Sequence, residues 1–313
     1  MLSQRPGDPA FGGSDTVPFV GFPAGPDAAV AAAPAKVNLH LEVLGKRPDG
    51  YHAVETLILA VDLFDTLDVR RDPAGALTLE CDPPGLPTGP QNLVWKAADA
   101  LRRATGTTEG AAVRLTKRIP HEAGLGGGSS DAAAAILALN RVWNLGRTRE
   151  ELLPVAAEVG SDVGFFLAPT AAWCTGRGEV VEPEEVGGEF HLVLVKPDVG
   201  LSTAAVYRKV TVPAEPVDGT DIRNALRSGD PDRLARALFN RLQEPALVAE
   251  PAVGRVLQTL AECDPLGRLM SGSGSCCFAV CRDRADAGRV AGEFRARWSG
   301  VGCRVFAVRG RRV

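Results

Sequence analysis

Four glycines lie within five positions, at residues 124 and 126–128, and lead directly into two serines and a run of alanines and leucines that predicts a helix. Glycine weakens regular secondary structure, because its backbone loses the most conformational freedom on folding. A run of glycines is therefore most useful where the backbone turns sharply or approaches another group closely. Amide groups at a helix start, aided by the helix dipole, favour an anion. The stretch predicts a phosphate site, with Ser129 and Ser130 as cap and hydroxyl donors and Asp131 in the first turn.

This loop matches neither of the two most familiar phosphate-binding motifs. No Gly-Lys-Ser/Thr ending follows the glycines, which excludes a Walker loop. The dinucleotide spacing, counted from Gly124 and Gly126, places Ser129 where a third glycine is required. A glycine hinge without a ligand is the alternative. We favour the phosphate site, because hinges rarely combine four glycines, two serines and a helix of small residues.

Length and composition indicate a globular protein of two domains. The 313 residues exceed what one hydrophobic core usually holds. Apolar residues make up 45% and charged residues 23%, which is ordinary for a globular chain. A net charge of -3 offers no broad cationic surface, so we expect no nucleic-acid partner. The basic C-terminal residues are interpreted as a strand with a solvated end. No segment approaches the roughly 20 apolar residues of a membrane span, so we expect no membrane partner.

The cysteines and histidines give no sign of a metal site. The seven cysteines are scattered without a CxxC pair, which argues against both a zinc site and a disulfide framework. Reduced thiols fit a cytoplasmic protein. His40, His121 and His191 show no ligand spacing.

Secondary-structure patterns place a domain boundary near residue 185. Residues 1–33 are rich in glycine, proline and alanine, and we expect a flexible N-terminal extension there. The next residues alternate as a half-buried strand, with Lys36 and Asn38 on its polar face. The segment 184–189, rich in glutamate and glycine, is the best linker, and strands alternate with helices beyond it. We predict an α+β protein with domains at 34–185 and 186–313.

Four segments, in this order and spacing, resemble the GHMP kinases: "PAKVNLHLEVLGKRPDGYH", "IPHEAGLGGGSSDAAA", "GSDVGFF" and "MSGSGSCCF". The resemblance runs from about residue 34 to the C-terminus. It implies a two-domain GHMP kinase fold, with an S5-domain-2-like N-terminal domain that holds ATP and a ferredoxin-like α/β C-terminal domain for the substrate. It also implies ATP-dependent phosphorylation of a hydroxyl on a cytidine-diphosphate sugar alcohol. ATP and Mg²⁺ are the expected cofactors, the small-molecule substrate is the expected partner, and we expect a monomer or weak homodimer.

The resemblance assigns the central chemistry to two residues. Asp162 matches the family's catalytic aspartate and suits a base that orients or deprotonates the attacking hydroxyl. Lys36 matches the lysine that pairs with this carboxylate and stabilises the alkoxide that develops. Without the resemblance, Asp162 would be interpreted as a helix cap and Lys36 as an exposed lysine at a strand end.

The remaining site residues follow from the same resemblance. The residues expected to bind ATP are Asn92, Lys117, Pro120, Gly124, Gly126, Gly127, Gly128, Ser129 and Ser130. The residues expected to bind the acceptor are Asn38, Tyr51, His52, Thr203, Tyr207, Ser271, Gly272 and Gly274. A core position for Tyr207 and a plain turn at 48–52 are the alternatives. The Mg²⁺ ligands stay unassigned, with Ser130 and Glu122 as candidates only.

Three positions depart from the family pattern, and three other functions stay open. His121 and Glu122 replace small or apolar residues, and Gly164 replaces the usual proline, which is expected to loosen the helix start. One alternative function is a GHMP kinase for another small alcohol, such as homoserine or mevalonate. The second is a catalytically silent member that binds nucleotide. The third is an S5-like protein that binds RNA, which would require a more basic surface.

Overall fold

A long antiparallel strand pair forms the framework of the protein. The computed structural model describes residues 21–167 and 170–310. Strand β1 (Gly21–Gly25) pairs with β2 (Ala28–Lys46), which pairs along its whole length with β3 (His52–Asp72). Three register shifts interrupt the β2–β3 ladder, and such irregularities bend and twist a strand pair.

The N-terminal extension is shorter than the sequence predicts. Residues 21–25 and 28–33 belong to β1 and β2, and Ala29, Ala31 and Ala33 are buried in the core. The prediction was wrong here because small side chains carry little hydrophobic signal, although they pack well beneath helices. Residues 1–20 lie outside the described ranges.

The first half of the chain covers one face of the sheet with helices. Its further elements are β4 (Leu77–Asp82), α1 (Leu93–Thr105), β5 (Gly110–Thr116), α2 (Gly127–Val142), α3 (Arg149–Val159), α4 (Val163–Phe166), β6 (Ala171–Thr175) and β7 (Val180–Pro183). Asn92 caps α1, and β6 and β7 form a hairpin. The alanines of α2 are buried in the core that joins α1, α2 and α3 to the sheet. Their small side chains let this helix pack closely against its neighbours.

The second half of the chain has a ferredoxin-like strand order. Its elements are β8 (Phe190–Pro197), α5 (Thr203–Tyr207), α6 (Thr220–Ser228), α7 (Pro231–Arg236), β9 (Phe239–Asn240), α8 (Gln243–Ala249), α9 (Pro251–Ala261), β10 (Gly267–Met270), β11 (Cys277–Cys281), α10 (Arg284–Arg297) and β12 (Cys303–Gly310). Strands β12, β8, β11 and β10 lie side by side in that order, and every neighbouring pair is antiparallel. Numbered along the chain, these four strands have the order 4-1-3-2, as the predicted fold class requires.

The two halves are joined through the sheet as well as through the chain. Strand β12 meets β3 at its end, and β9 pairs in parallel with β2 at His40 and Leu41. Within the expected linker, Glu184 is buried and forms ion pairs with Arg223 and Arg227. The linker therefore packs against the second half, and the boundary near 185 stays a prediction.

Two further observations concern the cysteines and the helices. All seven cysteines are free. Across residues 21–167 and 170–310, every helix is too short or too polar to cross a membrane.

Candidate active site

A cavity of about 580 Å³ lies where the glycine loop, the middle of β2, the start of α5 and the loop at 271–275 meet. Most residues that the sequence assigned to a site form its wall: Lys36, Asn38, Lys117, Pro120, Gly124, Gly126, Gly127, Gly128, Ser129, Asp162, Thr203, Tyr207, Gly272 and Gly274. The wall excludes Tyr51, His52, Asn92, Ser130 and Ser271. Distant parts of the sequence are thus brought to one place, and the individual binding assignments stay predictions.

The glycine loop enters its helix three residues earlier than a cap at Ser129 predicts. Helix α2 begins at Gly127, with Gly126 as its cap residue at φ 68°, and no side chain caps it. The prediction of a serine cap was wrong, because glycine reaches the left-handed backbone conformation that a serine adopts less easily. Ser129 lies on the cavity wall, whereas Ser130 is buried. Asp131 lies beyond the first turn, contrary to the prediction.

Close approach explains the glycine at 124. Its φ is 71°, and a Cβ placed there would lie 2.0 Å from the carbonyl oxygen of Ser271. The carbonyl of Gly124 in turn accepts hydrogen bonds from Lys36 Nζ at 2.9 Å and from Ser271 Oγ at 2.9 Å. The two glycine-serine loops, 147 residues apart in sequence, therefore contact each other through backbone atoms.

Lys36 and Asp162 form an ion pair at the base of the cavity. The Lys36 Nζ to Asp162 Oδ2 distance is 3.7 Å, and the lysine also donates to Asn38 Oδ1 at 2.5 Å. Burial lowers the pKa of Lys36, and the nearby Asp162 carboxylate opposes that change. The lysine side chain is 4% exposed, which contradicts the alternative of an exposed strand-end lysine.

Asp162 sits at the start of α4 without acting as a side-chain cap. Its carboxylate makes no cap hydrogen bond, although its backbone occupies the cap position. The side chain is 37% exposed and lines the cavity, so its oxygens are accessible to a ligand. The geometry therefore argues against the alternative of a plain helix cap.

A chain of hydrogen bonds fixes the polar face of β2. Asn38 Nδ2 donates to Thr56 Oγ1 at 2.8 Å, and Thr56 Oγ1 donates to the His40 carbonyl at 2.6 Å. The Asn38 amide donates to Ser271 Oγ at 3.2 Å. The predicted polar face of β2 is buried, and Asn38 uses both its backbone amide and its side-chain amide in this network.

Asn240 holds the second glycine-serine loop, and the sequence analysis missed it. Its Nδ2 donates to the carbonyls of Met270 and Gly272 at 2.7 and 2.8 Å. Its Oδ1 accepts from the Leu242 amide at 2.9 Å. Nothing in the local sequence signals this role, since it depends on the parallel pairing of β9 with β2.

Tyr207 lines the cavity, whereas His52 and Tyr51 lie outside its wall. The rings of His52 and Tyr207 are 5.1 Å apart at their centroids, and burial raises the pKa of Tyr207. Tyr51 is 53% exposed, and the Arg177 guanidinium lies 4.9 Å from the centre of its ring. Thr203 Oγ1 and Ser273 Oγ, which are both on the cavity wall, are hydrogen-bonded at 2.8 Å. Arg177 lines the cavity and was also missed.

The expected ATP residues outside the loop have different surroundings. Asn92 accepts from the Val94 amide and donates to the Pro87 carbonyl, so its side chain is occupied by capping α1. Lys117 lines the cavity and forms ion pairs with Asp65 and Asp131. No local sequence pattern indicates that Asp65, 52 residues before Lys117, lies there.

The departures from the family pattern leave the cavity intact. Glu122 adopts a φ of 47°, and both it and His121 line the cavity. Gly164 is buried beside Leu153, where a Cβ would still find ordinary contact at 3.6 Å. Among the described residues, no three His, Cys, Asp or Glu side chains cluster as a metal site. The carboxylates of Asp162 and Glu122 share the cavity wall and are oxygen donors of the kind that Mg²⁺ prefers.

Comparisons with known proteins agree with this geometry. The GHMP kinase N-terminal domain model matches residues 92–170, and the GHMP kinase C-terminal model matches residues 222–300. The 4-diphosphocytidyl-2-C-methyl-D-erythritol kinase of Pelotomaculum thermopropionicum is 43% identical over 85% of this chain and 93% of its own. That of Paramagnetospirillum magneticum is 44% identical over 84% and 93%.

Solved structures give the same result. A crystal structure of 4-(cytidine 5'-diphospho)-2C-methyl-D-erythritol kinase aligns with a TM-score of 0.75 at 34% identity, covering 90% of this chain and 99% of that one. Homoserine kinase from Cytophaga hutchinsonii aligns with a TM-score of 0.73 at 19% identity, over 91% and 96%, which shows a shared fold alone. The chain therefore belongs to the GHMP kinases, and within them to the family of 4-diphosphocytidyl-2-C-methyl-D-erythritol kinases.

Proposed function

We propose that this protein transfers the γ-phosphoryl group of ATP to the 2-hydroxyl of 4-diphosphocytidyl-2-C-methyl-D-erythritol. The products are the 2-phosphate and ADP, and the reaction belongs to the non-mevalonate route to isoprenoid precursors. The observation that carries the proposal is the Lys36–Asp162 pair, which lines one cavity together with the glycine loop and the Tyr207 ring. The identity to curated kinases of this substrate supports the choice of acceptor.

The glycine loop suits the triphosphate. Helix α2 is 16 residues long, and its N-terminus opens at Gly127 onto the cavity. The first amides of a helix have no intrahelical partner and, with the dipole, attract anionic oxygens. Gly126 and Gly127 have no side chain that could cover this backbone. A Cβ at either position would also press on Lys36, Phe166 or Ile119.

Asp162 and Lys36 suit the point of transfer. An accessible carboxylate can accept the proton of an attacking hydroxyl, and phosphoryl transfer asks mainly for positioning and charge stabilisation. The Lys36 ammonium is fixed by Asn38 and the Gly124 carbonyl, so it can stabilise negative charge without reorganising. Mg²⁺, when bound with ATP, would neutralise charge on the phosphate oxygens, and Glu122 is the wall carboxylate that would hold it.

Tyr207 and His52 suit the cytosine end of the acceptor. Any base offers a π face for stacking, and the Tyr207 ring lies on the cavity wall. The hydrogen-bonded pair of Thr203 and Ser273 also lines the cavity and offers hydroxyl groups to the sugar alcohol.

The test is ADP release by the purified protein with Mg-ATP and diphosphocytidyl-methylerythritol. Homoserine and mevalonate serve as competing acceptors, and Asp162→Asn serves as the inactive control. We expect turnover with the cytidylyl substrate alone and its loss in the variant. Turnover with another alcohol would overturn the proposed substrate. Absence of turnover with all three acceptors, despite ATP binding, would favour a silent nucleotide-binding protein.

A further inference from the structure

Three buried charged side chains meet behind the glycine loop. The Lys117 ammonium donates to Asp131 Oδ2 at 2.6 Å and to Asp65 Oδ2. The exposed fractions of the Lys117, Asp131 and Asp65 side chains are 5%, 4% and 0%. Burying three charges is unfavourable unless each one is well paired. A cluster of this kind on the wall of a ligand cavity therefore points to a function beyond packing.

Lys117 reaches the cavity directly beneath the loop. It follows β5, forms part of the cavity wall, and its Nζ would lie 3.3 Å from a Cβ placed on Gly127. An ammonium group has three N–H donors. Within the described part of the chain, Nζ hydrogen-bonds to the two carboxylates, which leaves one N–H for a ligand.

The two carboxylates are held in different ways. Asp65 Oδ1 also accepts from the amides of Arg118 and Ile119, so this residue fixes the chain that leads into the glycine loop. Asp131 Oδ2 accepts from Lys117, while Asp131 Oδ1 is buried without a partner among the described residues. Burial raises the pKa of Asp131, against the opposing charge of Lys117. A change at Asp131 therefore tests the cluster without breaking the loop.

The charge balance of the cluster argues against a contact with phosphate. One ammonium faces two carboxylates, so the cluster carries no surplus positive charge whichever way Asp131 is protonated. The Lys117 side chain could attract a polyphosphate only through surplus positive charge, because Coulomb energies of the two signs offset each other over a few ångströms. The glycine loop attracts it differently, through unpaired backbone amides and the helix dipole. A fixed N–H without surplus charge suits a neutral acceptor, such as a ring nitrogen of the base or an oxygen of the ribose.

We propose that Asp65 and Asp131 are positioning residues, which clamp the Lys117 ammonium so that its remaining N–H donates to a neutral acceptor on the nucleoside part of ATP. The proposal rests on the proposed function to the extent that this cavity must bind the nucleotide. It assigns Lys117 to recognition of the nucleoside and leaves the triphosphate to the backbone of the glycine loop.

The test compares the binding of ADP and of inorganic tripolyphosphate by calorimetry in four proteins: wild type, Asp131→Leu, Asp131→Asn and Glu184→Gln. The leucine keeps a side chain that branches at Cγ and removes the acceptor, whereas the asparagine keeps an oxygen that can accept from Lys117. Glu184→Gln is the matched control, because Glu184 is also a buried carboxylate in an ion-pair cluster, away from the cavity.

Asp131→Leu is expected to weaken ADP binding by roughly tenfold and tripolyphosphate binding by less than twofold. Its KM for ATP should rise by a similar factor while kcat changes less than threefold. Asp131→Asn should bind ADP within about threefold of wild type, and Glu184→Gln should leave both affinities unchanged while lowering thermal stability. The acceptor atom is identified by comparing ADP with 2'-deoxy-ADP and with ADP analogues that each lack one ring nitrogen. The ligand that lacks the acceptor should bind wild type more weakly than ADP does. It should bind Asp131→Leu with the same affinity as ADP does.

Three results would overturn the clamp: unchanged ADP affinity in Asp131→Leu, equal losses for ADP and tripolyphosphate, or an Asp131→Asn variant as weak as Asp131→Leu. If Asp131→Leu does not fold, Asp131→Ala takes its place in the same comparison. Failure of the proposed function is visible separately. Wild-type protein that binds no ADP overturns both proposals, whereas ADP binding without phosphotransfer overturns the function and leaves the clamp to be judged from the variants.

Discussion

Lys36 and Asp162 are 126 positions apart in the sequence, yet their charged atoms lie 3.7 Å apart at the base of the cavity. The lysine is buried and fixed by two further hydrogen bonds, whereas the aspartate is more than one third exposed. This asymmetry gives each residue a distinct place in the proposed reaction. Lys36 is a fixed charge, and Asp162 faces the ligand.

Replacing Asp162 by asparagine should remove the proton acceptor and preserve the shape of the site. We expect kcat to fall by roughly 10² to 10⁴, with the affinity for ATP changed less than threefold. Single-turnover kinetics and ADP calorimetry measure the two quantities separately. Activity equal to that of wild type would rule out the assigned role.

The pH dependence of turnover should report on Lys36. Because burial lowers its pKa from the ordinary lysine value of 10.5, the ammonium loses its proton at a lower pH than an exposed lysine does. Turnover should therefore fall as the pH rises, beginning below 10.5. A profile of kcat between pH 6 and pH 10.5 checks this, with Lys36→Arg as the comparison, since a guanidinium stays charged throughout. An alkaline limb that persists unchanged in Lys36→Arg would assign it to another group.

Replacing Gly124 by alanine should separate the two glycine-serine loops. The added Cβ would lie 2.0 Å from the Ser271 carbonyl oxygen, so the loops must move apart. We expect at least a tenfold loss of kcat/KM together with a lower Tm. Gly146→Ala is the matched control, because φ at Gly146 is 63° and nothing lies within 4 Å of the new Cβ. That control should lose only about 1–2 kcal/mol of stability; equal losses of activity in the two variants would contradict the contact argument.

Tyr207 should contribute to acceptor binding more than Tyr51 does. Tyr207 lines the cavity and packs against His52, whereas Tyr51 is mostly exposed and lies outside the wall. Loss of one stacking ring weakens the binding free energy by about 1–3 kcal/mol. Tyr207→Ala should therefore raise KM for the acceptor by roughly tenfold or more, with KM for ATP nearly constant and Tyr207→Phe close to wild type. We also expect Tyr51→Ala to weaken acceptor binding, though by a smaller factor. A larger effect at Tyr51 would mean that the acceptor lies outside the cavity described.

His40 should make the fold sensitive to mild acid. Burial lowers the pKa of this imidazole from 6.5 to about 4. Between these values the unfolded state binds the extra proton, so the free energy of unfolding falls as the pH drops from 6.5 to 4, by up to about 3 kcal/mol. Urea unfolding at both pH values checks this against His40→Phe, which preserves contacts with Trp173 and Phe239. The same loss of stability in wild type and variant would exclude His40 as the cause.

The sequence by itself determined the local features of the site. Four glycines before an alanine-rich run fixed a loop that enters a helix, and the order of four segments identified the family, the two-part architecture and the Lys36–Asp162 pair. These features can be predicted from the sequence because glycine, small residues and alternating strands act through the backbone over short distances.

Only the tertiary structure decided which side chains meet. Asn240 reaches the loop at 271–275 because β9 pairs with β2, and Asp65 reaches Lys117 because β3 pairs with β5. The cap of α2, the burial of the polar face of β2 and the strand at 28–33 likewise depended on what packs against them. Contacts between residues 30 to 230 positions apart depend on sheet register and burial, and neither quantity is encoded in a local stretch of sequence.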